Sequence, residues 1–401
     1  MQKVFIVAAK RTAVGSFLGS LKNVHPADLG AVLVKDVLDT TKLTGKEIDE
    51  VIIGNILSAG LGQGIGRQIA VKGGVDQSIP AYSLNMLCGS GMKAVINAYT
   101  SIGAGLNHLV LAGGVESMSR APYLMDPNVR GGIKMGDVVS KDHMLVDGLT
   151  DAFHNVHMGI TAENIAEKHN LTREEQDAFA LNSQHKAIAA VDADRFKEEI
   201  VPLTVKVGRE EVVFAKDEYP NRTTNLEKLA KLRPAFKKDG TVTAGNASGI
   251  NDGASLLLLA SEEALKKYNL TPLAEVVGVG QAGVDPLYMG LGPVPAIANA
   301  LKSSKLSLKD IELLELNEAF AAQSLGVVKE LSLEHGESVE AIMNRTNVNG
   351  GAIALGHAVG NSGSRIIVTL VHEMAKRNAK LGLASLCIGG GMGTAVIIKR
   401  I

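Results

Sequence analysis

Two cysteines and one glycine-flanked histidine are the residues of this chain best suited to chemistry. Cys88 follows an apolar run at residues 83–87 and precedes Gly89, Ser90 and Gly91, after which Met92, Val95, Ile96, Tyr99 and Ile102 recur on one helical face. The pattern predicts a strand, a tight turn and a helix, with the cysteine at the helix N-terminus. There the unpaired N–H groups and the helix dipole favour the thiolate, which is the nucleophilic form. The glycines allow a substrate to approach the backbone closely. The alternative is a small buried hydrophobe, the usual fate of a free cysteine. Cys387 ends an expected strand over 383–388, just before Gly389, Gly390, Gly391, Met392 and Gly393, and alone it reads as a core residue. His357 follows the run Val348, Asn349, Gly350, Gly351, Ala352, Ile353, Ala354, Leu355, Gly356 and precedes a second helix start at Asn361, Ser362 and Gly363. It can carry protons or simply sit on a surface loop. Asn317 opens Asn317, Glu318, Ala319, Phe320 after an expected strand over 311–316, where a helix cap is the plainer role.

The elements that must position these residues alternate short β-branched or Leu-rich runs with longer helical segments, the mark of an α/β fold. Strands are expected over 4–9, 50–56, 83–87 and 108–113, and helices over 27–38 and 92–102. From about residue 119 to 249 the chain turns polar and loop-rich, with helical stretches at 159–169 and 172–191, and it reads as an insertion. The first pattern then returns. Leu43 to Ile48 is answered by Leu306 to Ile311, each before a strand; the helix start at Gly89 to Gly91 by Asn361 to Gly363; and the strand ending at Gly113 and Gly114 by one ending at Gly389 and Gly390. If the halves are related, both cysteines fall at the C-terminal edge of one sheet region, where ligands of open α/β sheets collect.

Composition narrows the function. The 401 residues suit two or three domains, and 46% apolar with 21% charged residues describes an ordinary globular protein. A net charge of −1 and only 3% aromatic residues argue against a nucleic-acid binder. Two cysteines exclude a disulfide scaffold and suit a reducing compartment. With an expected buried strand from Val4, no presequence is expected and the cytoplasm is the expected location. Gly60, Gly62, Gly64 and Gly66 fit no phosphate-binding loop. His154 and His157 lack further ligands for a metal, and Glu315 falls within a strand rather than forming a carboxylate pair with Glu318. No metal and no cofactor are expected.

Together the motifs resemble one family. Cys88 to Gly91 (CGSG), Gly113 to Ser117 (GGVES), Asn317 to Phe320 (NEAF), Asn349 to His357 (NGGAIALGH) with Gly360 to Gly363, and Cys387 to Gly393 (CIGGGMG) are similar in order and spacing to the thiolase signatures, across essentially the whole chain. His157, Met158 and Gly159, with Asn246 to Asp252 (NASGIND), resemble the short-chain, acetyl-CoA acetyltransferase branch. The resemblance implies a five-layered α-β-α-β-α core from two βαβαβαββ halves, residues 1–118 with about 250–273 and residues 274–401, with 119–249 as a loop domain for CoA and oligomer contacts. It implies reversible condensation of two acetyl-CoA to acetoacetyl-CoA, and a homotetramer without membrane or nucleic-acid partners.

The resemblance also implies roles. Cys88 is then the acylated nucleophile, His357 its activator and Cys387 the acid/base for the α-proton. Asn317 positions a water at the enolate oxygen, and the N–H groups of Cys88 and Gly389 receive the tetrahedral oxyanion. His157, Met158, Phe236, Ala244, Ser248, Met289, Ala319 and Phe320 line the pantetheine and acyl path. Arg222 opens a stretch to Lys238 holding six basic residues against Glu227 alone, the expected nucleotide end. The thiolase pattern has Pro after the histidine where this chain has Ala358, which removes a φ restraint beside His357. A degradative 3-ketoacyl-CoA thiolase and a silent acyl-CoA-binding subunit are the competing readings. A decarboxylating ketoacyl synthase would be expected to carry His where this chain has Cys387. A reversible disulfide between the two cysteines is a further expectation.

Overall fold

The computed structural model describes residues 2–401. Its main sheet runs in the order Leu313–Leu316, Leu381–Ile388, Met392–Arg400, Ala274–Gly283, Val4–Arg11, Asn251–Ser261, Leu109–Ser117, Glu50–Gly54 and Ala81–Leu84, with the two-residue strand Gly15–Ser16 attached to Asn251–Ser261. Val4, Phe5 and Ile6 pair antiparallel with Val276, Glu275 and Ala274, so the two halves are joined into one continuous sheet at this short seam. Outward from the seam each half repeats one pattern: two antiparallel partners, then a parallel one. The repeated motifs therefore occupy equivalent places.

The strands are buried on both faces, so their side chains alternate between two cores. Leu256, Leu258 and Ala260 pack outward with Leu33, Val37 and Ile69 of helices Pro26–Thr41 and Ile65–Lys72. Leu257 and Leu259 pack inward. In the second half Val396 and Ile398 point inward, while Ala395 and Ile397 meet Ile297 and Val327 of helices Pro293–Ser304 and Ala321–His335. The inward faces enclose two central helices, Ser90–Gly103 and Val359–Arg377. This is the α-β-α-β-α layering. The second central helix is buried without a break from Val359 to Val371, which explains its mostly small and apolar sequence.

Several boundaries differ from those expected, for local reasons. The strand expected over 83–87 is Ala81–Leu84, because Asn85 Oδ1 accepts the Leu87 N–H at 2.9 Å and turns the chain. The strand over 50–56 stops at Gly54. The one over 108–113 continues to Ser117, paired along its length with Asn251–Ser261. Helix Arg173–Asp192 starts at a capping box between Thr172 and Glu175. Between Ser117 and Asn251 the chain adds no strand to the main sheet, only a bridge from Ile200 to Arg11; it pairs Tyr123–Met125 with Ser140–Asp142 and Leu203–Val207 with Glu210–Phe214.

The two central helices start against each other. A Cβ added at Gly91 would lie 2.6 Å from Ser364 Oγ and 3.0 Å from Gly360 O, and one at Gly114 would lie 2.2 Å from Gly360 O. Backbone cannot retreat as a side chain can. Gly114→Ala is expected to lower stability by about 1–3 kcal/mol, read as a lower midpoint in urea unfolding of the purified protein.

Candidate active site

The crossing of the central helices places Cys88 and His357, each just before one of them, beside the end of strand Leu381–Ile388. Leu87 has φ of +48°, and Ser90 Oγ donates to Leu87 O at 2.6 Å while accepting the Met86 N–H at 2.9 Å, so the turn holding Cys88 is pinned from both sides. A Cβ at Gly89 would come within 2.2 Å of Ile388 Cδ1. The Cys88 turn therefore packs directly on the strand that carries Cys387. Both cysteines and His357 line one apolar cavity of about 480 Å³. Its wall includes His157, Met158, Phe236, Ala244, Ser248 and Met289, with Ala319 and Phe320.

His357 is held at two points. Its N–H donates to Asn251 Oδ1 at 2.8 Å, and Gly356, at φ +99°, lies so close to Asn251 that an added Cβ would be 2.5 Å from Cγ. Nδ1 is 2.7 Å from Ser362 Oγ, whose own proton goes to Ala358 O at 3.1 Å. That chain assigns the imidazole proton to Nδ1 and leaves Nε2 as an acceptor. Ala358 has φ of −71°, the value proline would impose, so the backbone beside His357 takes the same shape without the ring.

Burial decides the protonation states. The Cys88 thiol is pushed up to about 11, chiefly by burial, although the Gly389 N–H pointing at it works the other way. The resting form is therefore the thiol, because burial outweighs the backbone N–H groups that favour a thiolate. Burial raises Cys387 further, and the neighbouring Cys88 adds to this. His357 is lowered to about 4 by burial, with Arg365 contributing. A neutral imidazole and two neutral thiols form a set that exchanges protons without placing a net charge in an apolar cavity.

The remaining predicted residues divide. Asn317 is 2% exposed, and neither its Nδ2 nor its Oδ1 has a protein partner, so its amide is available to a small polar guest rather than serving as a helix cap. Gly389 sits where an added Cβ would be 3.1 Å from Leu87 Cδ1 and 3.5 Å from Met158 Sδ. The His157 ring stacks on Phe236 at 4.6 Å, and Phe236 meets Phe320 edge-on at 6.1 Å. His154 lies outside the cavity, against Asp151. Arg222 lines neither the cavity nor its neighbour and is paired with Asp192. Lys231 pairs with Glu227 and Lys237 with Glu167, so half of the expected basic stretch is already neutralised. A second cavity of about 360 Å³ shares Tyr219 and Ala244 with the first and includes Asn221 and Lys228.

Sequence reasoning missed the residues that hold the others. Ser362 was seen only as a helix start and Asn251 only as part of a motif, though each fastens His357. Glu318 accepts from Ser183 Oγ at 2.6 Å and Asn347 Nδ2 at 2.9 Å, tying NEAF to the glycine-rich loop. Glu116, wholly buried, is raised to about 7 by burial despite three backbone N–H groups from Ile56, Leu57 and Gly360. A carboxylate inside GGVES, in an otherwise apolar strand, was the available signal.

A buried neutral histidine has a consequence for stability. Because the folded value is about 4 and the ordinary value 6.5, the unfolded chain binds the proton first. Stability from this group is complete above about 6.5 and is lost as pH falls towards 4, by on the order of 3 kcal/mol. His357→Gln is expected to flatten the stability curve between these limits, measured by denaturant midpoints across pH.

The chain matches the family models "Thiolase, N-terminal domain" over residues 4–263 and "Thiolase, C-terminal domain" over 270–400. It is 52% identical to an acetyl-CoA acetyltransferase of Pseudomonas aeruginosa and 51% identical to a probable acetyl-CoA acyltransferase of Staphylococcus aureus, each over 100% of both chains. Among solved structures, the Bacillus anthracis acetyl-CoA acetyltransferase superposes with a TM-score of 0.95 at 44% identity, covering 100% of this chain and 99% of that one. Human mitochondrial 3-ketoacyl-CoA thiolase in complex with CoA superposes at 0.93 with 46% identity, covering 100% and 98%. With both family models matched nearly end to end and relatives half identical over the full length, the chain belongs to the thiolase family.

Proposed function

We propose that this protein is an acyltransferase, an acetyl-CoA C-acetyltransferase that joins two acetyl-CoA molecules reversibly into acetoacetyl-CoA and CoA through an acetyl-Cys88 intermediate. The observation that carries this reading is the convergence of the chain's only two thiols and a neutral imidazole on one apolar cavity. The full-length relatives, an acetyl-CoA acetyltransferase and a probable acetyl-CoA acyltransferase, point the same way.

In the cleavage direction, His357 Nε2 takes the Cys88 proton and the sulfur attacks the ketone carbon of acetoacetyl-CoA. The carbon–carbon bond breaks, and Cys387, held protonated by burial, passes its proton to the departing acetyl-CoA carbanion. CoA then enters as a thiol, gives its proton to Cys387 and displaces the acetyl group from Cys88. His357 returns the first proton to Cys88. Synthesis is the same path reversed. A thioester α-proton is far less acidic than an ordinary thiol, and each unit of mismatch costs about 1.4 kcal/mol, so a raised Cys387 is a better base than an exposed cysteine. Donors at the enolate oxygen remain necessary. We assign that task to His357 with a water held by Asn317, and the tetrahedral oxyanion to the N–H groups of Cys88 and Gly389.

Chain length is set by packing. Cys387 shares an apolar cluster with Met158, Met289, Ala319 and Phe320, which suits an acetyl group. The His157–Phe236 stack, Ala244 and Ser248 lead towards the second cavity, where we place the nucleotide end of CoA near Lys228 in place of Arg222. Residues 119–249 serve in this reading as the loop domain, and an unpaired edge strand at Ala81–Leu84 with exposed Tyr123, Met125, Met135 and Val139 suits the proposed homotetramer. Cytoplasmic location is part of the same proposal; among the described residues no helix is long and apolar enough to cross a membrane.

Four measurements test this. Acetoacetyl-CoA should be cleaved much faster than a long-chain 3-ketoacyl-CoA under reducing conditions. Comparable rates would place the protein on the degradative branch, and no cleavage of either would leave a binding subunit. Cys88→Ala should abolish acetyl labelling of the protein by radiolabelled acetyl-CoA. Cys387→Ala should retain that labelling while carbon–carbon cleavage falls about 100- to 10,000-fold. Met289→Ala should raise the relative rate on the longer substrate about tenfold.

A further inference from the structure

The helix Val359–Arg377 begins one residue after the His357–Ala358 step, and its start is buried: Ala358 is 2% exposed and Val359 is 1% exposed. The first N–H groups of a helix have no partner within it, and when water is excluded something else must accept from them. Ala358, at the cap position, has no side-chain acceptor, and the first turn carries no acidic residue. The acceptor comes from a strand 244 residues earlier. Glu116 Oε2 takes the Gly360 N–H at 3.0 Å.

The same carboxylate has three further donors. Oε2 accepts from Ile56 N at 3.0 Å, and Oε1 accepts from Leu57 N at 3.2 Å and Asn55 Nδ2 at 2.9 Å. Ile56 and Leu57 pack with Met118 and Val359 in the cluster against which Leu87 and Cys88 rest. A Cβ at Gly360 would lie 2.5 Å from Glu116 Oε2, so the glycine leaves the space through which the carboxylate reaches the helix end. One side of this clamp is the wall behind Cys88. The other is the helix turn whose Ser362 Oγ accepts a hydrogen bond from His357 Nδ1.

We propose that Glu116 is a positioning residue for acyl transfer: its carboxylate supplies the helix cap that Ala358 lacks and so fixes His357 and Ser362 relative to the wall behind Cys88. It touches no reacting atom. The proposal rests on the reading of Cys88 and His357 as the acyl-transfer pair, and two of its readouts need no substrate.

Glutamine at this position keeps the size but offers one acceptor oxygen and an amide that cannot accept. In the full-length protein, Glu116→Gln should lower kcat for acetoacetyl-CoA cleavage about 10- to 100-fold, the scale of a small misplacement at a reacting centre, with KM within about twofold. Alkylation of Cys88 by iodoacetamide should slow in parallel. Adding Ala358→Ser, which places a local acceptor at the cap, should recover kcat about threefold or more in the Glu116→Gln background. A Glu116→Gln protein with kcat within about threefold of wild type, or a double variant no better than the single one, overturns the proposal. Should Glu116→Gln fail to fold, hydrogen exchange on the wild-type protein decides. Gly360, Ile56 and Leu57 amides should exchange at rates within about threefold of one another as one opening unit, whereas Gly360 exchanging about tenfold faster than the other two overturns the clamp. If wild-type protein cleaves no acyl-CoA, the proposed function fails while alkylation and exchange still report on the clamp.

Discussion

The close approach of two buried helix starts governs this molecule. Ser90–Gly103 and Val359–Arg377 meet where Gly91, Gly114 and Gly360 leave no side chain between them. A Cβ at any of them would meet backbone or a side chain of the neighbouring element at 2.2–2.6 Å. The two half-sheets enclose this crossing and leave their inward faces to it, which is why the strands alternate Leu257 and Leu259 inward against Leu256 and Leu258 outward. Architecture and reactive geometry therefore have one origin.

The same burial sets the chemistry. An apolar cavity disfavours every charged form, so both thiols rise and the imidazole falls. Beside Cys88, burial outweighs the N–H groups of Gly389 and Cys88 that work the other way. In the proposed mechanism protons therefore pass among neutral groups, and backbone N–H groups with a water held by Asn317 meet the charge that develops. The buried Arg11 is paired with Glu199 and Asp217 away from the cavity, whereas the buried Glu116 has no cation and is met by four N–H donors instead.

Much of the site was legible because motif glycines mark places where backbone must approach backbone or adopt positive φ, and such needs are visible in sequence. CGSG, NGGAIALGH and CIGGGMG each read as a turn at the end of a strand or the start of a helix, and the structure brings all three to one cavity. The holding residues were less legible. Ser362, Asn251 and Glu116 act across 5, 106 and 244 residues, on His357 in the first two cases and on Gly360 in the third, and no local pattern reports such a partner. Arg222 shows what charge alone leaves out. Its charge suggests a phosphate contact, and the structure adds that Asp192, thirty residues away in sequence, is near enough in space to pair with it.

Residue types and their spacing alone determined the α/β class, the repeated halves, the thiolase resemblance and the identity of the groups able to do chemistry, because these depend on periodicity, glycine placement and local motifs. Tertiary structure alone decided that the half-sheets join at a three-residue seam, that the cysteines rest as thiols, which nitrogen of His357 is free and which carboxylate caps its helix. Desolvation and long-range hydrogen bonding depend on what surrounds a group in space, and a linear sequence does not specify that until the chain has folded.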